Sequence, residues 1–201
     1  MPHFLLLDDS EYQRPGYEGM KYVITPPLRP KEHQEVLWAN LRNNTLVTVG
    51  SDHCAFPYKD KIRLFETRGK TFQKIPHGAP GIETRLPLIF SEGVSKGRLS
   101  LTRFVDVVST NPAKLAGLYP RKGVLALGSD ADITIIDPNK EVTVSVDMLH
   151  GKTDYTPFEG WKLQGYPVIS ISRGNVLVRD GEVVAKPGIG QFLKRDKFQP
   201  F

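Results

Sequence analysis

Short apolar runs and longer helix-like stretches alternate along the first part of the chain. The apolar run at 4–7 is too short for a helix, and the run at 21–25 (KYVIT) is rich in β-forming residues and ends at a proline. The near-continuous apolar run at 46–49 (LVTV) is typical of a strand buried on both faces in a parallel sheet. The patterns predict strand-like segments at all three places.

Helical periodicity marks three stretches around these runs. Residues 29–43, 81–92 and 100–118 place apolar side chains at helical spacing. Pro112 is expected to split the last stretch, because proline removes a helical hydrogen bond. The stretch at 55–80 is rich in Gly and Pro and is expected to be a loop.

From about residue 123 onward, apolar and polar positions alternate, which is typical of strands. Short runs with this pattern, separated by turn residues such as Asp180-Gly181, occur at 124–127, 133–137, 142–146, 169–172, 176–179 and 182–185. An irregular stretch at 149–167 interrupts them. The sequence therefore predicts an α/β region at 1–120 followed by an all-β region at 121–201.

Composition narrows the class of protein. The 201 residues include 27 Lys and Arg against 22 Asp and Glu, a net charge of +5, but the basic residues stand singly among acids, so we expect no nucleic-acid partner. Cys54 is the only cysteine, and no apolar stretch approaches the roughly 18 residues that a membrane span needs. The opening MPHFLLLDDS lacks the basic start of a signal peptide, so we expect a cytoplasmic protein with no membrane partner.

Asp52 is the most informative candidate for chemistry. It follows the apolar run at 46–49 on a Gly-Ser lead, and α/β proteins carry catalytic groups at the carboxyl ends of their strands. A carboxylate there can ligate a metal, act as a general base, or do both. The alternative is structural, with Asp52 capping a turn and His53 hydrogen-bonded to the backbone.

The remaining candidates are less specific. His77 lies in a loop between Pro76 and Gly78, which suits either substrate contact or a solvated turn. Cys54 is expected to be a buried, inert thiol. Neither HxH nor HExxH occurs, so the chain does not supply a complete metal site.

Several motifs in register resemble the hydantoinase and dihydropyrimidinase family of cyclic amidohydrolases. They are YVITPPLR at 22–29, GSDHC at 50–54, IPHGAPGIETR at 75–85, YPRKG at 119–123, GSDAD at 128–132 and DYTPFEG at 154–160. The resemblance covers essentially the whole chain. It implies a TIM barrel holding two divalent metals, usually zinc, bridged by a carboxylated lysine, with a small β-sandwich domain beside it.

The resemblance also assigns roles to three residues. Asp52 would ligate a metal at the end of the last barrel strand and carry a proton to the leaving nitrogen of the ring. Thr25 matches a position where the family often has Ser, and His77 one where it usually has Asn; both bind the cyclic amide through backbone groups. The bulkier His77 could alter the pocket and thus the choice of substrate.

The family's paired histidines, bridging lysine and two further histidines have no counterpart here. Asp52 alone cannot hold a zinc ion that takes four ligands. We therefore expect residues 1–120 to be the last strand and helix units of the barrel and 121–201 to be strands of the β-sandwich with a C-terminal tail. We expect this C-terminal portion to be inactive alone and its full-length parent to be a homotetramer.

Three functions are compatible with these sequence features. The favoured interpretation is that the chain is part of an enzyme that opens a hydantoin or dihydropyrimidine ring. The second is a dihydropyrimidinase-related scaffold protein that lacks metal ligands, and the third is allantoinase or dihydroorotase. Asp52 favours an enzyme, and the YPRKG and DYTPFEG stretches favour the hydantoinase type.

Overall fold

Six helices form in the first 120 residues. The structure, a computed structural model, describes residues 1–201. Its α-helices are α1 (Pro2–Leu6), α2 (Glu32–Arg42), α3 (Tyr58–Thr67), α4 (Arg85–Ile89), α5 (Leu101–Val105) and α6 (Asn111–Leu115). Short 3-10 turns occur at Asp9–Gln13, Glu18–Tyr22, Phe72–Lys74 and Val146–Met148, and π-helical turns follow α4 and α5 at Phe90–Ser95 and Asp106–Thr110.

The later residues form one four-stranded sheet. Its strands lie in the order β1 (Ile133–Thr143), β2 (Lys162–Ser172), β3 (Asn175–Arg179) and β4 (Glu182–Val183). The β2–β3 and β3–β4 pairs are antiparallel, and the β2–β3 register shifts between Ser170 and Ile171. Asp180 and Gly181 join β3 to β4 with positive φ angles of 47° and 89°, as a two-residue hairpin turn requires. This turn was predicted from the Asp-Gly pair.

The strands expected before residue 120 are absent, and those predictions were wrong. Residues 4–7 largely belong to α1, where Pro2 occupies the first turn and needs no hydrogen-bond partner for its nitrogen. Residues 21–25 begin within the 3-10 turn Glu18–Tyr22 and continue without strand pairing.

The segment at 46–49 shows why the expected parallel strand does not form. The Asn111 side-chain amide donates to the Val47 carbonyl at 2.9 Å, and the Val49 N–H donates to the Val107 carbonyl at 2.9 Å. These backbone groups therefore bond to residues of the helical stretch 101–115 and not to a neighbouring strand. Leu46 is exposed, which also contradicts burial on both faces.

The helix predictions were more accurate. The expected helix at 29–43 is confirmed as α2, but the expected loop at 55–80 contains α3, which begins after Pro57. The prediction that Pro112 splits the helix at 100–118 was only partly right. The helical backbone continues through Asn111, and Pro112 lies in the first turn of α6 after a π-helical turn, so its missing N–H removes little.

The β predictions were right in type and imprecise in extent. The run at 133–137 and the start of the run at 142–146 merge into β1, which ends at Thr143. Strand β2 begins at Lys162, inside the stretch expected to be irregular. The prediction of a strand at 124–127 was wrong: these residues form no strand, and Leu125 and Leu127 are exposed.

The chain divides into two compact units, each built from separated segments. Unit 1 comprises Met1–Asn40, Gly50–Leu88 and Thr143–Lys162, and unit 2 comprises Leu41–Val49, Ile89–Val142 and Leu163–Phe201. In unit 1, Trp38 is buried and its indole donates to the Leu5 carbonyl at 3.1 Å. In unit 2, the core includes Leu41, Phe104, Val107 and Leu163. No helix is both long and apolar enough to cross a membrane.

Candidate functional site

Two of the motif segments lie side by side in unit 1. The Gly78 N–H donates to the Val23 carbonyl at 3.0 Å, which pairs the backbone before Thr25 with the backbone after His77. The side chains of these two residues meet as well, with 2.9 Å between Thr25 Oγ1 and His77 Nδ1. The structure therefore brings together two of the three residues predicted to form the site.

The His77 imidazole is held at both ring nitrogens. Nε2 lies 3.0 Å from the Phe72 carbonyl, and a carbonyl can only accept, so Nε2 carries the hydrogen. In the neutral imidazole, Nδ1 then accepts from the Thr25 hydroxyl. The ring also stacks on Phe72, with the planes 20° apart and the centroids 6.2 Å apart. These contacts fix the orientation of the ring and its tautomer.

The third motif segment runs along the same loop. The Cys54 N–H donates to the Ala79 carbonyl at 3.0 Å, and His53 Nδ1 accepts from the Gly81 N–H at 3.1 Å. His53 therefore has the backbone-bonded role that the structural alternative assigned to it. The segments 23–25, 52–54 and 77–81 thus form one contiguous backbone cluster, here called the motif cluster.

Asp52 stands at one end of the motif cluster. Its backbone is left-handed with φ of 47°, a conformation that Asp tolerates better than most residues, and the residue is exposed. The strand expected before it is absent. The sequence therefore assigned the wrong structure to the residues leading into this carboxylate, and Asp52 itself lies in irregular backbone.

A cavity of about 550 Å³ opens beside the motif cluster. Thr25 and His77 contribute to its wall, whereas Asp52 does not line it. The remaining wall is mainly apolar with one cationic side chain, and includes Met20, Val23, Ile24, Phe72 and Arg14. A mainly apolar cavity with a few polar groups is the usual form of a small-molecule site.

A buried histidine packs beneath the motif cluster. His3 Nε2 lies 3.2 Å from the Pro80 carbonyl, and burial lowers the pKa of His3 to about 4. A Cβ atom on Gly81 would lie 2.7 Å from His3 Cε1, so the backbone at Gly81 approaches the imidazole as closely as only glycine permits. In the sequence, His3 lies in no motif and at no spacing that would predict this contact.

Sequence reasoning also missed Lys61 on α3. Its side chain is fully buried, and its ammonium donates to three backbone carbonyls of the segments around the motif cluster. Lys61 stands among charged residues in a stretch expected to be a loop, so the sequence contained no sign that this cation is buried.

The chain does not supply a complete metal site. Nowhere in residues 1–201 do three His, Cys, Asp or Glu side chains lie close enough together to hold a metal ion. Asp52 is thus a single carboxylate donor, while a zinc centre takes about four ligands.

Known proteins that match this chain support one family. A model of the amidohydrolase family matches residues 22–177. The D-hydantoinase of Geobacillus stearothermophilus is 52% identical over 197 residues, which cover 98% of this chain and 41% of that enzyme. The D-hydantoinase of Ralstonia pickettii is 45% identical over 198 residues, which cover 98% of this chain and 42% of that enzyme.

Solved structures agree with these relatives. The dihydropyrimidinase from Brevibacillus agri superposes with a TM-score of 0.95 at 46% identity, over 99% of this chain and 42% of that one. An L-hydantoinase (dihydropyrimidinase) from Arthrobacter aurescens gives 0.86 at 40% identity, over 96% of this chain and 42% of that one. The chain therefore spans less than half the length of the relatives it matches.

Proposed function

Because this chain belongs to the amidohydrolase family, we propose that the protein containing it hydrolyses a cyclic amide and opens a hydantoin or dihydropyrimidine ring. One observation carries the proposal. The motif cluster, made of segments 23–25, 52–54 and 77–81, lies beside a cavity, and the sequence of this chain is 52% identical to that of a D-hydantoinase. Since the relatives named above include both D- and L-hydantoinases, the proposal leaves the enantiomer open.

Substrate binding is the part of the reaction that this chain's residues account for. We infer that backbone groups of Thr25 and His77 hydrogen-bond the amide of the ring, while the apolar wall around Ile24 and Phe72 excludes water. The contact between Thr25 Oγ1 and His77 Nδ1 supports this, because it holds the two backbone segments at a fixed separation before a substrate enters.

We propose that Asp52 transfers a proton during ring opening. An exposed carboxylate at the end of the motif cluster can take a proton from the water whose oxygen adds to the amide carbonyl. It can then deliver that proton to the ring nitrogen that leaves when the C–N bond breaks. The amidohydrolase family is generally metal-dependent, and we propose that Asp52 is also one ligand of a centre of two divalent ions, zinc by the resemblance. When bound, such ions would polarise the scissile carbonyl. The remaining ligands would come from residues outside this chain.

We further propose the architecture that the resemblance implies. Residues 1–120 would contribute the last units of a TIM barrel, in which the segments 21–25 and 46–49, which form no strands in this chain, would occupy the strand positions. Residues 121–201 would contribute the strands of a β-sandwich with a tail. The TM-scores of 0.86 to 0.95 against hydantoinase and dihydropyrimidinase structures support this assignment. The exposed Phe192, Phe198 and Phe201 of the tail are consistent with assembly as a homo-oligomer, for which a tetramer is proposed.

The test is a ring-opening assay on the full-length protein loaded with zinc. Hydantoin and dihydrouracil are supplied separately, and the open-chain product is measured for the wild type, Asp52→Asn and the exposed Asp147→Asn as a matched control. We expect Asp52→Asn to lose at least about a thousandfold in kcat, because it removes a ligand and a proton carrier together. Full activity in Asp52→Asn, or no turnover of either ring by the wild type, would contradict the proposal.

A further inference from the structure

Lys61 is a buried cation whose partners are backbone carbonyls. Its Nζ lies 2.7 Å from the Gly78 carbonyl, 3.0 Å from that of Met20 and 3.3 Å from that of Val23. An ammonium has three N–H donors, so these three acceptors match its full capacity. No carboxylate is among these hydrogen-bond partners.

Two of these carbonyls belong to the backbone that is proposed to bind substrate. Val23 precedes Thr25 by two residues, and Gly78 directly follows His77. The Gly78 N–H also donates to the Val23 carbonyl, at 3.0 Å. The ammonium of Lys61 therefore lies where it bridges the Thr25 segment and the His77 segment, and it faces both from the side of α3.

The position of the ammonium is itself fixed by residues 154 and 155. The Asp154 carboxylate accepts from the backbone N–H groups of Tyr58 and Lys59 at 2.5 and 3.2 Å, which anchors the first turn of α3. The Tyr155 ring centroid lies 5.6 Å from Lys61 Nζ, and the Tyr155 hydroxyl donates to the Gly78 carbonyl at 3.3 Å. Helix α3 and the Tyr155 ring therefore hold the Lys61 side chain in a fixed position.

A buried charge has a cost that an apolar side chain of the same length would avoid. Burial lowers the pKa of Lys61 to about 8, a shift that the nearby Cys54 partly opposes. Methionine would fill much of the same space without this cost, but it could not donate to three carbonyls. The ammonium therefore does more than fill space, because its hydrogen bonds orient the Gly78 and Val23 carbonyls.

We propose that Lys61 is a positioning residue for cyclic-amide binding, whose ammonium holds the Val23 and Gly78 carbonyls so that the backbone of Thr25 and His77 faces the ring. The identity of the ligand rests on the proposed function. The bridging of the two segments rests on the distances alone.

The experiment compares Lys61→Met, Lys61→Gln and wild type in the full-length zinc-loaded protein. Lys59→Met is the matched control, because it removes an exposed lysine from the same helix. Hydantoin and dihydrouracil kinetics give KM and kcat, and hydrogen–deuterium exchange is followed for peptides covering 20–25 and 76–80. Thermal unfolding checks that each variant is folded.

We expect Lys61→Met to raise KM about tenfold with kcat little changed, the effect of losing about one charge-assisted hydrogen bond to the binding backbone. Exchange in 20–25 and 76–80 should accelerate about tenfold, because the backbone opens locally more often. Lys61→Gln should fall between Met and wild type, and Lys59→Met should match wild type. A merely structural role would lower the folded fraction, and hence apparent kcat, and leave KM unchanged.

Each alternative outcome decides the question. Unchanged KM and exchange in a folded Lys61→Met overturn the proposal; if that variant does not fold, the same result in Lys61→Gln does so. If neither folds, Lys61 is required for folding and the positioning role is overturned. If the wild type opens neither ring, the proposed function fails, and faster exchange in Lys61→Met still establishes that Lys61 holds the two segments.

Discussion

His77 and Thr25 form a matched pair at the wall of the cavity. By the resemblance, family members usually have Asn where this chain has His77 and often have Ser where it has Thr25. The Thr25 hydroxyl donates to His77 Nδ1, while Nε2 is anchored on the Phe72 carbonyl. A larger side chain at position 77 therefore does not hang free in the cavity, since its ring is tied back to the loop that carries it.

Removing the hydroxyl of Thr25 tests this pair. Thr25→Val keeps the shape of the side chain but leaves His77 Nδ1 without its donor, whereas Thr25→Ser keeps the hydroxyl. We expect Val to raise KM for hydantoin about fivefold, in line with the loss of a hydrogen bond of about 1 kcal/mol, and Ser to behave as wild type. Steady-state kinetics of the full-length protein measures both. Equal KM values in Val and Ser would show that the side-chain bond is irrelevant to binding.

At the residue scale, the burial of His3 should make the folded protein less stable in acid. Burial lowers its pKa from 6.5 to about 4, so between these values the unfolded chain binds a proton that the folded chain does not. The free energy of unfolding should therefore fall as the pH drops from 6.5 to 4, by about 3 kcal/mol from this group. Urea unfolding at pH 7, 6 and 5 measures the slope.

The control variants for this prediction are His3→Gln and His33→Gln. His3→Gln removes the titrating group and should flatten the slope, while the exposed His33→Gln should retain it. The interpretation is wrong if wild type and His3→Gln lose stability in parallel over this pH range.

At the scale of elements, α3 owes its stability to a contact from far along the chain. Its first turn lacks a local side-chain cap, and Asp154 takes that role by accepting from the N–H groups of Tyr58 and Lys59. Partial burial raises the pKa of Asp154, but these hydrogen bonds outweigh that effect, and the pKa is lowered overall. The helix that carries Lys61 is thus tied to the segment that carries Tyr155.

Truncating this cap should weaken the helix and the site behind it. Asp154→Ala is expected to lower the free energy of unfolding by about 1 kcal/mol, and Asp154→Asn by less, because an amide oxygen still accepts. Glu141→Ala, an exposed acidic residue on β1, serves as control and should change stability little. Chemical unfolding gives the comparison. A loss in Glu141→Ala as large as in Asp154→Ala would mean that the cap contributes nothing specific.

At the scale of the whole molecule, this chain supplies the wall that we propose binds substrate and one carboxylate, Asp52, that we propose as a metal ligand. The relatives it matches are more than twice its length, and no three potential ligands converge within it. We therefore expect the 201-residue chain, prepared alone, to retain no stoichiometric metal after dialysis against zinc and to open neither ring. Elemental analysis and the ring-opening assay check this. One tightly held zinc per chain, or turnover, would refute it.

The sequence by itself determined the family, the helix α2 and the Asp180-Gly181 hairpin. Each of these follows from local signals, such as spacing, turn residues and motifs in register, that act over a few residues. The wrong predictions share a different property. The run at 46–49 resembles a buried strand, but which groups satisfy its backbone depends on Val107 and Asn111, about sixty residues away.

Only the tertiary structure decided the burial of Lys61 and the contact between Thr25 and His77. A lysine among charged residues reads as solvated, and its burial depends on three carbonyls supplied by two other segments. The pairing of Thr25 with His77 likewise joins residues 52 positions apart. Local patterns determine what a residue can do. Long-range hydrogen bonds and burial determine which of those possibilities is used, because their partners exist only once the chain has folded.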